Sequence, residues 1–110
     1  MSQIYSVQEI AARVKPVAIT YRLKAVYLFG SYARGEASAE SDIDLLVDTR
    51  GTELNTLMKL GGLYVDLEEA LGKPIDLITV ASLEQPERKP GDVSFRQNVW
   101  REKVDLYVAA

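Results

Sequence analysis

The sequence predicts an α/β (α+β) fold, a small mixed β-sheet packed with helices, its first strand antiparallel to the second and its third parallel to the second. Three observations predict it. Segments over residues 25–29, 41–48 and 74–80 each have the length and apolar content of a strand. The segment from Glu53 to Leu71 carries apolar residues at helical spacing, and parallel neighbours need a crossover of that kind. Acids stand near the starts of two strands and a Gly-Ser pair at the end of another, and these groups can meet only if the strands run in those directions.

The elements follow in order. Ser6 and Glu9 have the spacing of a capping box. They open a helix with an apolar face of Ile10, Val14 and Val17 or Ala18. Pro16 is expected to kink or interrupt it, because proline has no N–H to donate and crowds the preceding turn. Ala25 to Phe29 reads as a buried strand that stops at Gly30. Gly30 to Glu40 reads as a turn, one helical turn and a loop, and Ser41 to Asp48 as the second strand.

The crossover helix presents Leu57, Leu60, Tyr64, Leu67 and Leu71, is weakened at Gly61 and Gly62, and ends at Gly72 as a C-cap. A right-handed connection is expected. Pro74 to Val80 is the third strand. Glu84 to Asp92, with Pro86, Pro90 and Gly91, reads as a loop. A last helix is expected from Ser94 to Lys103, with Phe95, Val99, Trp100 and Val104 towards the core, and an edge strand from Val104 to Val108.

Composition narrows the chemistry. The 110 residues read as one domain with an ordinary apolar and charged balance. No apolar run approaches a membrane span, and the N-terminus lacks the features of a secretory signal, so a cytoplasmic location is expected. Cysteine and histidine are both absent, which leaves carboxylates to carry any metal or proton chemistry. A net charge of −3 argues against direct binding to a nucleic acid backbone, but not against a nucleotide.

Ser41-Asp42-Ile43-Asp44-Leu45-Leu46-Val47 is the most informative stretch. Strand alternation places Asp42 and Asp44 on one face and Ile43, Leu45 and Val47 on the other. Two such charges about 6–7 Å apart repel by about 2–3 kcal/mol at an effective dielectric near 20. A divalent cation reverses that sign, and magnesium is commonly held by one or two carboxylates plus substrate phosphates. Gly30 permits a tight turn and a close backbone approach, and Ser31 opening a helical turn offers amides and a hydroxyl to phosphate. Alone, each has a plainer reading: a solvated Asp-x-Asp, a strand-ending glycine. Asp76, in Pro74-Ile75-Asp76-Leu77-Ile78, supplies the third acid, and the predicted strand directions bring all of these groups to one place.

Gly30-Ser31-Tyr32-Ala33-Arg34-Gly35 through Ser41-Asp42-Ile43-Asp44-Leu45 closely resembles the signature of the polymerase-beta-like nucleotidyltransferases, and in particular the minimal nucleotidyltransferases of prokaryotes. The resemblance implies the nucleotidyltransferase fold and transfer of AMP from ATP. It implies that Asp42 and Asp44 bind two Mg2+ ions, with Asp76 completing the catalytic metal site, and that Gly30 and Ser31 hold the triphosphate. It also implies a partner, because minimal members are often encoded beside a HEPN-type ribonuclease toxin that some of them silence by adenylylating a tyrosine. Two alternatives stay open: transfer to a small hydroxylated molecule, and a non-catalytic antitoxin that neutralises its partner by binding.

Arg34 either contacts the triphosphate or pairs with Glu36 or Glu40 and holds the loop. Tyr32 is expected to pack beside the turn, Asp48 to lie beyond the site, and the mixed charges of the last quarter to form a solvated face.

Overall fold

Ser6 starts the first helix as its spacing predicts. In the computed structural model, which describes residues 4–84 and 92–109, the Glu9 N–H donates to Ser6 Oγ at 3.1 Å and the Ser6 N–H to Glu9 Oε1 at 3.0 Å. Helix α1 runs over Val7–Thr20 and buries Ile10, Val14 and Ala18. It passes through Pro16 without the interruption that was expected there as the alternative to a kink. Pro16 and Ala12 both lie on the exposed side, so water can satisfy the Ala12 carbonyl that loses its helical donor.

Strand β1 is Ala25–Phe29, followed by the short helix α2, Gly30–Arg34. Strand β2, Ile43–Asp48, begins two residues later than predicted, with Asp42 just outside it. The turn before it is closed by Ser38 and Ser41, whose N–H groups reach Ser41 Oγ at 2.9 Å and the Ser38 carbonyl at 3.1 Å.

Helix α3, Leu57–Leu71, starts at the cap Thr56 rather than at Glu53, runs through Gly61 and Gly62, and ends at Gly72 in the left-handed conformation. Its buried stripe is Leu63, Leu67 and Leu71. Leu57 does not join the predicted stripe: it and Met58 are each 88% exposed in the first turn. The reason is geometric, since the core takes the residues spaced by four from Leu63, and Leu57 lies to one side of that line.

Strand β3, Ile75–Thr79, leads into a one-turn helix that the sequence did not announce, α4, Val80–Leu83, capped by the Thr79 side chain. The expected loop over Glu84 to Asp92 lies, apart from its ends, outside the described residues. Helix α5, Asp92–Glu102, and strand β4, Val104–Val108, close the fold.

The sheet has the order β3-β2-β1-β4. β1 is antiparallel to β2 and to β4, and β2 is parallel to β3. One face carries Val26, Leu28, Ile43, Leu45, Val47 and Ile75 against the buried residues of α1 and α3. On the other face Phe29 and Leu46 pack with Val80, Leu83 and Val99. Phe95 is not part of that core, contrary to expectation, and is 50% exposed. Trp100 packs against it only partly buried. Leu46 is buried on the face that carries Asp44, so β2 is covered on both sides directly beyond the acids.

Candidate active site

Antiparallel pairing of β1 with β2 sets Phe29 opposite Asp44, which brings Gly30 beside the start of β2. The approach is close enough that any side chain at this position would displace the Asp44 carboxylate. A Cβ built on Gly30 would stand 2.0 Å from Asp44 Oδ2, and the backbone there has φ +76°. Glycine is required twice over, for space and for conformation. Ser31 follows in the first turn of α2, where no side chain caps the helix. Free amides of this kind suit an anion.

Parallel pairing of β2 with β3 sets Asp44 opposite Asp76. Burial, a hydrogen bond with the Asp76 carboxyl and the charges of Asp76 and Asp42 push the Asp44 carboxyl up to about 6, against a smaller opposing effect of Arg34. Asp42 and Asp76 are both exposed. Thus Asp44 is the enclosed member of the set and the other two face the solvent side. Among the described residues no three acids stand close enough together to enclose a metal ion as they are. The donor set nevertheless fits a hard divalent cation: the ligands are all carboxylate oxygens, and Asp44 is held in a field that disfavours its charge.

Arg34 lies on the same cleft as Gly30, Asp44 and Asp76, which has a volume of about 520 Å3. Its guanidinium pairs with Glu36 at 3.0 Å and with Glu102 of α5 at 3.1 Å. The predicted pairing with Glu36 is present, whereas the second partner is Glu102 rather than Glu40. Tyr32 packs into the core and does not line the cleft.

Helix α5 forms the opposite wall with Phe95, Asn98, Val99 and Glu102, and Phe95 meets Phe29 edge to face at 6.3 Å. Local sequence gave no sign of this wall. Phe95 and Val99 share a helical stripe that reads equally as core, and Asn98 and Glu102 look like solvated positions. Asp48, set aside beyond the site, is buried and held by Arg50 at 2.6 Å. A wider groove of about 650 Å3 beyond the far end of β2, lined by Tyr21, Arg22, Thr52 and Met58, contains a single acid, Glu53. It lacks the paired carboxylates of the smaller cleft.

Residues 9–104 match the nucleotidyltransferase domain family. The protein adenylyltransferase MntA of Thermococcus cleftensis is 38% identical over 74 residues, 67% of this chain and 73% of that one. A chain from a crystal structure of a toxin-antitoxin with AMP-PNP shares the fold with a TM-score of 0.67 and 24% identity, over 90% of this chain and 73% of that one. So does a chain from the complex of a tri-AMPylated Shewanella oneidensis HEPN toxin with an MNT antitoxin, with a TM-score of 0.63 and 22% identity over 94% and 73%. Among the described residues no helix is long and apolar enough to cross a membrane. With its Gly-Ser turn set against paired aspartates on adjacent parallel strands, the chain belongs to the nucleotidyltransferase domain family, among the minimal nucleotidyltransferases.

Proposed function

We propose that this protein transfers AMP from ATP to a hydroxyl of a protein partner, a tyrosine of a HEPN-type toxin, and acts as its antitoxin. The observation that carries the reading is the juxtaposition of Asp44 with Asp76 in register beside Gly30. The adenylyltransferase name of a relative and the toxin complex of a structural neighbour support the choice of acceptor.

Asp42, Asp44 and Asp76 would hold two magnesium ions, which when bound neutralise the triphosphate and lower the pKa of the acceptor hydroxyl. The residues of the chain supply the rest. Gly30 and Ser31 hold the triphosphate through the first turn of α2. Arg34, on the cleft wall, would supply charge to the phosphates by exchanging its Glu36 or Glu102 partner for them. Asp76, exposed at the cleft, takes the proton from the acceptor hydroxyl as its oxygen bonds to the α-phosphorus. The bond from the α-phosphorus to the bridging oxygen breaks, and pyrophosphate leaves. Positioning and charge neutralisation account for most of the rate.

The test uses labelled ATP, magnesium and a HEPN-type toxin of the kind found in complex with the structural neighbour. Label is expected on a tyrosine of that partner, and none with Asp42→Asn plus Asp44→Asn. Neutralisation of the partner that persists in the double variant without label would replace transfer by simple binding.

A further inference from the structure

The three segments that carry the site are joined at one buried ammonium. Lys73 is only 8% exposed. Its Nζ donates to the Tyr32 hydroxyl at 2.8 Å and to the Ala39 carbonyl at 3.1 Å, and it lies 5.4 Å from the centre of the Tyr32 ring. Tyr32 belongs to α2, one residue after Ser31. Ala39 lies in the loop three residues before Asp42. Lys73 itself lies three residues before Asp76. The adjacent residue adds a second tie, because the Ile43 N–H donates to the Pro74 carbonyl at 3.2 Å. Asp42 is therefore bracketed by two bonds to the 73–74 segment, one on each side of it.

We propose that Lys73 is the positioning residue of this site, its ammonium clasping the Gly30–Ser31 turn and the Asp42 loop onto the strand that carries Asp76. The inference rests on the metal-dependent reading above. An ammonium is costly to bury unless its donors are used, and here they are used on two separate segments of the site. Asp42 is exposed and lies outside the sheet ladder, so its position depends on the loop that Lys73 anchors. A methionine at 73 would fill the same space with no donor, and the loop would then sample other positions at a cost to cation binding.

The test compares the wild-type protein with Lys73→Met and Tyr32→Phe, each held well below its own melting temperature. Two quantities are read: amide exchange over residues 38–43 without metal, and affinity for Mn2+. Lys73→Met is expected to speed that exchange about tenfold and to weaken Mn2+ binding about 5- to 10-fold, on the scale of a lost charge-assisted hydrogen bond. Tyr32→Phe, which keeps the ring, is expected to give about half of the effect on a logarithmic scale. A lower melting temperature with unchanged loop exchange and unchanged Mn2+ affinity would mean an ordinary structural lysine and would overturn the proposal. If Lys73→Met fails to fold, Tyr32→Phe decides by the same two readings. If the wild-type protein takes up no Mn2+, the metal reading itself fails, and unchanged loop exchange in Lys73→Met would separately dismiss the clasp.

Discussion

Asp44 and Asp76 lie opposite one another in the parallel β2–β3 ladder, and burial, together with the facing Asp76 carboxyl, raises Asp44 to about 6. Registered residues of neighbouring strands stand on the same face, so the two acids cannot avoid each other without breaking the sheet. The fold stores this repulsion at the place where a cation would remove it.

The first consequence is a pH dependence in metal-free protein. Folded Asp44 holds its proton more tightly than the unfolded residue, whose reference value is 3.8. Its stabilising contribution is therefore present below that value and is lost as pH rises to about 6. The loss should be about 1–2 kcal/mol once solvent screening of a partly exposed carboxyl is allowed for. Urea melts of wild type and Asp44→Asn between pH 4 and 7 should diverge by that amount, with the variant the more stable at pH 7. Parallel curves would mean that the pair carries no such repulsion.

Metal should reverse the balance. Saturation of the wild-type protein at one hundred times its dissociation constant for Mn2+ should add about 2.7 kcal/mol. Asp44→Asn should gain little. Equal gains in the two proteins would place the ion elsewhere.

Asp76→Asn should fold normally, because it removes a repulsion, and should reduce AMP transfer by at least about a thousandfold, given the loss of both a proton acceptor and a metal ligand. Transfer near the wild-type rate would dismiss Asp76 from both roles. Circular dichroism alongside the assay separates a catalytic defect from a folding one.

Gly30→Ala should be damaging for two independent reasons, the positive φ and the 2.0 Å approach of the new Cβ to Asp44 Oδ2. A cost of about 2 kcal/mol in stability is expected from the backbone alone, with transfer lost because the Asp44 carboxylate must move. A variant of wild-type stability and activity would show that the turn relaxes freely.

Far from the cleft, Asp48→Ala should cost about 1–3 kcal/mol, since Asp48 is 2% exposed and accepts several bonds from Arg50. Arg50 holds the Asp48 carboxyl below its ordinary range. The contribution is therefore present above the unfolded value and disappears as pH falls through the lowered one. Transfer measured well below the melting temperature should be unchanged. A selective loss of activity would connect this end of β2 to the chemistry.

Sequence alone was enough for strand β1 at its observed bounds, for the core residues Ile10 and Val14, for the caps at Ser6 and Gly72, and for the relative directions of β1, β2 and β3. These are legible because each depends on short-range periodicity, a local cap, or the length of a connection. Tertiary structure decided which leucines of α3 turn inward, that Pro16 is tolerated, and that α5 lies against the cleft with Phe95, Asn98 and Glu102. It also decided the burial of Lys73 and the enclosure of Asp44 between Gly30 and Asp76. Each of these depends on a surface brought from elsewhere in the chain, and no local pattern records which surface will arrive.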